Sequence, residues 1–328
     1  MSPLFLSLSA LVLSLFQSES SEQLTLLQAA RVFDPATGTL HHNAAVLVRG
    51  DSIVDFGTDL EVPAGATIID LGDSTLMPGW IDCHVHLGYE LDANSFDRAV
   101  RETDLDAAIR ATVHASKTLM AGFTTVRNAG SNGFLGVSLA RAIDAGVIPG
   151  PRVIPAGHAL SITGGHGDVT GFAPGILEAG PEQGVADGAD AFTKATRYQI
   201  KHGAKVIKIM ATAGVLSFED SVGAQQMSAE EMTAVVEEAA RHGIRVCAHA
   251  HGRDGILAAV RAGVASIEHG SMVDEVIARE MIRRGTWLVP TTALVEMIDI
   301  TILPPQLAAK AKAILPLAKD AVSLAISM

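Results

Sequence analysis

The sequence predicts an α/β protein: a (β/α)8 TIM-like barrel, here seven βα units with the eighth strand missing, carrying a small N-terminal β-domain. Three observations predict it. Between residues 24 and 75, short apolar stretches are separated by Gly, Asp and Pro without helical periodicity. After Met77-Pro78-Gly79, apolar runs alternate with helical segments, the pattern of repeated βα units around a parallel sheet. The 328 residues, 48% apolar and 18% charged with a mean hydropathy of +0.31, are enough to bury a large core and exclude an intrinsically disordered chain.

Taken in order, residues 1–20 read as a signal peptide. The apolar run 4–16 is too short to span a bilayer comfortably, so no transmembrane span is expected. Ser18 and Ser20 stand at −3 and −1 of a cleavage point before Ser21. The expected location is secreted or periplasmic, although no basic residue precedes Arg31. Residues 21–75 form the β-domain: LTLLQAARVFD, a turn at 35–38, then AAVLVRGDSIVDFG and ATIIDLG. Residues 76–328 form the barrel, with strands expected at 79–86, 124–129, 152–157, 205–211, 245–250, 265–269 and 286–291. Helices are expected near 98–121, 134–145, 189–202, 228–242, 253–262, 273–284 and 305–326. Over 228–242, Ser228 and Glu231 make a capping box, and Met232, Val235, Val236, Ala239 and Ala240 repeat with helical spacing.

Composition removes several classes of function. Lys plus Arg number 24 against 36 for Asp plus Glu, a net charge of −12 that repels phosphate backbones, so no nucleic-acid partner is expected. Two cysteines make neither a disulfide framework nor a Cys-rich zinc module. There is no P-loop, no GxGxxG between a strand and a helix, no HExxH and no nucleophile elbow.

The chemistry is concentrated in the twelve histidines. His84 and His86 lie two apart on the first barrel strand and share its inward face with Asp82, while Cys83 has the opposite parity and should face the surrounding helices. An HxH pair alone is more often incidental than a metal site. Here His249 and His251 end the fifth strand and His269 ends the sixth, so three strands deliver imidazoles to the rim where such barrels build active sites. Imidazole suits zinc and related divalent metals. His114, His202 and His242 fall on helices. Lys208 sits mid-strand with parity opposite to Ile207 and Ile209; an inward, buried lysine is either ion-paired with an interior carboxylate or a neutral amine able to take up CO₂ as a carbamate.

The strings MPGWIDCHVHLG at 77–88, KVIKIMATAGV at 205–215, VCAHAHG at 246–252 and SIEHGS at 266–271 resemble the amidohydrolase superfamily. Within it, SITGGHGD at 161–168 resembles the prolidase-like carboxypeptidases, which include ochratoxin-hydrolysing amidases. The resemblance covers about 24–328. It implies two divalent metal ions, zinc by expectation, with His84 and His86 on the more buried metal, His249 and His269 on the second, and carboxylated Lys208 bridging. His166 would bond the substrate carbonyl and stabilise the oxyanion. A metal-bridging hydroxide would add to the carbonyl of an amide or peptide and so hydrolyse its C–N bond, with a small molecule such as a dipeptide or N-acyl amino acid as substrate. The alternatives are a cyclic amidohydrolase of the imidazolone type and a non-catalytic relative. The family's aspartate after the eighth strand has no counterpart here. The expectation is therefore a fragment or truncated form, of low stability and inactive alone, whose open sheet edges favour a homo-oligomer or aggregation.

Other residues have plainer expectations. The Gly-rich stretch 163–188 is a lid over the site, or else a surface insertion. Cys247 is a packing residue; Glu268 points away from His269 as a structural ion-pair partner; His158 either reaches the site or caps its loop. His251 faces the ligands or the substrate, and Arg127–Asn128 orients neighbours.

Overall fold

The computed structural model describes residues 23–219 and 221–328, so the signal peptide expected over 1–20 lies outside the described residues. The chain divides between Gly79 and Trp80 into two compact units. In the first, β1 (Leu24–Asp34) pairs antiparallel with β2 (Thr39–Arg49) and parallel with both β4 (Thr67–Asp70) and β5 (Thr75–Leu76). β3 (Ser52–Gly57) pairs antiparallel with β2, giving the order β3-β2-β1-β4. The expected turn at 35–38 forms because the Asp34 carboxylate accepts from Ala36 N at 2.9 Å and Thr37 Oγ1 at 2.6 Å. Ala29 and Val32 of β1 pack with Ala44 and Val46 of β2 in a small apolar core; the two β1 residues share a face because the register skips between Ala29 and Arg31, opposite Asn43 at φ +50°.

The second unit contains seven parallel strands among the described residues, arranged in two sheets. One is β6 (Trp80–Val85), β7 (Phe123–Asn128) and β8 (Arg152–Pro155). The other is β9 (Ile207–Met210), β10 (Val246–Ala250), β11 (Ser266–His269) and β12 (Trp287–Val289). All seven stand where apolar runs predicted them. Leu160 joins the sheets at one side: its N–H donates to Lys208 O at 2.8 Å, and its carbonyl accepts from Met210 N at 2.9 Å.

Among the described residues the helices are α1 (Ser95–Arg101), α2 (Asp104–Met120), α3 (Leu135–Asp144), α4 (Ala189–Lys201), α5 (Ala229–Arg241), α6 (Arg253–Ala262), α7 (Glu275–Arg284), α8 (Ala293–Met297) and α9 (Pro305–Ser327). The single helix expected near 98–121 is two. Asp106 Oδ2 accepts from the Thr103 amide at 2.8 Å and its hydroxyl at 2.7 Å, so the chain caps a new helix there instead of continuing the old one. The capping box at Ser228 forms as expected, with Glu231 N donating to Ser228 Oγ and Ser228 N to Glu231 Oε2.

Strand parity sorts the side chains. Ile207 and Ile209, with Ala248 and Ile267, pack outward against Met232 and Val235 of α5, Ile256 of α6 and Ile277 of α7. Val126 and Val153 of the first sheet meet Ala111 and Ala115 of α2 and Leu139 of α3. Lys208 and Cys247, paired across β9 and β10, are left facing inward. One expectation fails on β6: Ile81 and Cys83 are exposed, with no helix among the described residues burying that outer face.

Candidate active site

A cavity of about 940 Å³ opens at the carboxyl ends of the parallel strands. Seven histidines line it, His84, His86, His158, His166, His249, His251 and His269, together with Lys208. The His84 ring lies 5.2 Å from His86 and 4.9 Å from His269; His269 lies 4.8 Å from His249 and 5.1 Å from His251. His249 in turn lies 4.7 Å from His251 and 4.2 Å from His166. All six residues singled out from the sequence, His84, His86, His166, Lys208, His249 and His269, therefore line one cavity, with His251 among them.

Most of these rings are anchored through Nδ1. His84 donates to Glu268 Oε2 at 2.7 Å and His86 to the Gly130 carbonyl at 2.9 Å, which leaves each Nε2 as a lone-pair donor. His269 Nδ1 meets Thr291 Oγ1 at 2.8 Å, and His251 Nδ1 meets Ser271 Oγ at 2.8 Å. Among the described residues, His249 Nε2 is buried without a hydrogen-bond partner.

Glu268 corrects the sequence reading. It is an ion-pair partner, as expected, but it points into the site: Oε2 holds His84, while Oε1 accepts from Arg127 at 2.7 Å and Ser266 Oγ at 2.6 Å. Strict alternation would send Glu268 and His269 to opposite faces. Glu268 follows the alternation, inward like Ser266 and opposite to Ile267, whereas His269 adopts φ +70°, a left-handed conformation uncommon for a non-glycine residue, which breaks the alternation and brings its ring to the cavity as well. Its partner Thr291 is also left-handed, at φ +50°. Arg127 further donates to Cys83 O at 2.6 Å and Ser266 Oγ at 3.0 Å. Asn128 Oδ1 accepts from Leu87 N at 2.9 Å, so the pair does orient neighbouring groups.

Burial sets the electrostatics. It holds the His84, His249 and His269 imidazoles well below their ordinary range, with neighbouring cationic or ionisable groups adding to the effect. His251 is pushed down to about 3 by burial, then by His166 and Lys208. His86 is open to the cavity but enclosed by protein, and this enclosure, with Lys208 nearby, lowers it to about 4. Burial also lowers the Lys208 ammonium. The Cys247 thiol, packed with Ala156 and Val206, is pushed up to about 11 by burial and stays protonated, in keeping with a packing residue.

His166 hangs from the loop before β9. Its amide donates to Gln226 Oε1 at 2.9 Å and its Nδ1 meets Ser217 Oγ at 2.5 Å. Burial, then Lys208 and Lys310, lower it to about 3. The surrounding stretch 163–188 is pinned at its ends, where Thr163 donates through N at 3.1 Å and Oγ1 at 2.6 Å to Asp187. His158 caps its loop: Nε2 accepts from Gly133 N at 3.1 Å, and its amide donates to Gln199 Oε1 at 2.9 Å. His114 bonds Leu87 O, His202 stacks on Phe134 and His242 meets Glu238, so none of the three belongs to the site.

The donor set fits a divalent metal in chemistry. Neutral imidazoles with Nδ1 anchored on a carboxylate or carbonyl are the usual form of metal-ligating histidine, and an orphaned buried nitrogen wants a partner. As the side chains stand, no group of three His, Cys, Asp or Glu among the described residues is arranged to hold an ion. The rings pack against one another, and Lys208, an amine, offers no oxygen ligand. Sequence reasoning missed Thr291, Ser217, Glu219 and the inward turn of Glu268. Their contacts join residues far apart in the chain and leave no local signature.

A profile of the amidohydrolase family matches residues 75–324. Ochratoxinase from Aspergillus niger is 34% identical over 298 residues, which cover 85% of this chain and 61% of that protein. The chain thus spans less than two thirds of the length of the curated relatives it matches. A solved Xaa-Pro dipeptidase with bound methionine in its active site is 36% identical with a TM-score of 0.88, covering 93% of this chain and 77% of that one. A prolidase complexed with N-methylphosphonate-L-proline is 33% identical with a TM-score of 0.82, covering 93% and 76%. The Aspergillus niger ochratoxinase structure gives 33% and 0.79, covering 93% and 73%.

Proposed function

The chain belongs to the amidohydrolase family, and we propose that it is a hydrolase of amide or peptide C–N bonds acting on a dipeptide or an N-acyl amino acid. The observation that carries this reading is the convergence of His84, His86, His249, His269 and Lys208 on one cavity at the strand ends. The names of the similar proteins, an ochratoxinase and Xaa-Pro dipeptidases, support the bond class.

In this reading His84, His86, His249 and His269 would hold two divalent metal ions, zinc by the chemistry of their donors, and Lys208 as a carbamate would supply the oxygen donor that its amine lacks. The carbamate forms when the neutral Lys208 amine attacks CO₂ and releases a proton; burial favours that neutral amine. Such ions would supply Lewis acidity at the scissile carbonyl and at a water. The protein's own part is to fix His84 through Glu268 and His86 through the Gly130 carbonyl, and to present His166 to the substrate's reacting amide.

The test is elemental analysis of protein grown with zinc and bicarbonate, alongside hydrolysis of N-acyl amino acids and dipeptides. The expected result is two metals per chain, hydrolysis lost on chelation, and loss of both in Lys208→Ala. Folded protein with neither metal nor hydrolysis overturns the reading.

A further inference from the structure

Three residues of one segment are arranged around His166. Gly214 leaves room for its ring, since a Cβ there would run into Cε1 and Nε2. Ser217 Oγ contacts His166 Nδ1 at 2.5 Å. Glu219 Oε1 accepts from Ser217 Oγ at 2.6 Å and from Gly214 N at 3.0 Å. The segment is clamped from two other elements: Lys310 of α9 donates to Ser217 O at 2.7 Å and Glu219 O at 2.9 Å, and Phe218 N donates to Thr170 Oγ1 at 3.0 Å.

Proton counting fixes the direction of these bonds. Ser217 has one hydroxyl proton, and it goes to Glu219 Oε1, which as an acceptor offers none in return. The proton in the short contact between Ser217 and His166 therefore sits on His166 Nδ1. A neutral His166 then carries no proton on Nε2. We propose that Ser217 and Glu219 are positioning residues that hold His166 as its Nδ1–H tautomer, so that Nε2 accepts a hydrogen bond from the scissile amide N–H of the substrate instead of donating one to its carbonyl. The positioning stands on the hydrogen bonds alone; the substrate contact rests on the amide-hydrolase reading. It makes secondary amides, which carry that N–H, the preferred substrate class over tertiary amides.

The first experiment is ¹⁵N-histidine NMR of the metal-free protein, with the His166 signals identified by their loss in His166→Asn. The wild type should show the Nδ1–H tautomer. Ser217→Ala should lose it and Ser217→Thr, which keeps the hydroxyl, should retain it. An Nε2–H tautomer in the wild type, or no change in Ser217→Ala, overturns the positioning role without touching the proposed function. Hydrolysis is then compared between an N-acyl amino acid and the same compound methylated on the acylated nitrogen, whose scissile amide is tertiary. Ser217→Ala should lower kcat/KM for the secondary amide about 10–100-fold, as loss of a supporting partner does elsewhere. It should also shrink the wild-type preference over the N-methyl substrate, and Ser217→Thr should restore both. An undiminished preference in Ser217→Ala overturns the substrate contact. Absence of all hydrolysis, with the tautomer as expected, removes the amide-hydrolase reading and the substrate contact with it, and leaves the positioning role standing.

Discussion

At the scale of single residues, the site depends on side chains whose surroundings leave them little freedom. Gly214 is such a case: Gly214→Ala puts a methyl group into the His166 ring, and a well-packed site answers with shifted side chains at a cost of about 1–3 kcal/mol. The expected outcome is a folded protein with a lowered denaturation midpoint and sharply reduced hydrolysis. His166 chemical shifts should move while those of His114 stay in place. Metal binding gives a second residue-scale outcome. His249→Ala removes the buried, unpartnered Nε2 and should lower bound metal per chain, read by elemental analysis. The HxH pair and Lys208 were legible because strand parity alone puts them on the inward face. Glu268 was not, because parity counted from His269 sends it outward, and the left-handed backbone that brings His269 in beside it has no mark in the sequence.

At the scale of elements, local rules did most of the work. The seven strands were legible from apolar runs and the helices from period and caps. The break between α1 and α2 was missed because an apolar period runs across it, and only the Thr103–Asp106 cap interrupts the backbone. Caps can be tested directly. Ser228→Ala removes the acceptor for Glu231 N and should cost about 1 kcal/mol, measured as a fall in the urea midpoint. Glu231 carries more, since Oε1 also accepts from Gly188 N at 2.8 Å, the residue that precedes α4. Glu231→Ala should therefore destabilise more than Ser228→Ala.

At the scale of the barrel unit, polar groups cross the interior where no strand ladder does. Glu268 of β11 holds His84 of β6 and Arg127 of β7, so one carboxylate ties the two sheets together. Removing one partner of a buried pair leaves the others unpaired, and Glu268→Ala should cost about 3–5 kcal/mol by chemical denaturation. The histidines make stability depend on pH. His166 and His251 titrate near 3 when folded and near 6.5 when unfolded. Their folded values are depressed, so between these limits the unfolded chain binds more protons, and stability rises with pH. Their contribution is whole above about 6.5 and falls away as pH drops towards 3. The urea midpoint of the metal-free protein should be lower at pH 5 than at pH 7.5, and His251→Gln should reduce the difference. An unchanged midpoint would refute the burial account of these imidazoles.

By itself the sequence determined the order of the strands, the inward face of the HxH pair and of Lys208, and the family. These follow from periodicities of two and of three to four residues, and from motifs contained in one strand and its loop. The tertiary structure decided which polar group meets which. The Ser217–Glu219 support of His166, the Thr291 support of His269 and the inward Glu268 join segments separated by tens to nearly two hundred residues. Such contacts are fixed by how buried donors and acceptors are satisfied once the strands are side by side, and no local pattern encodes that pairing.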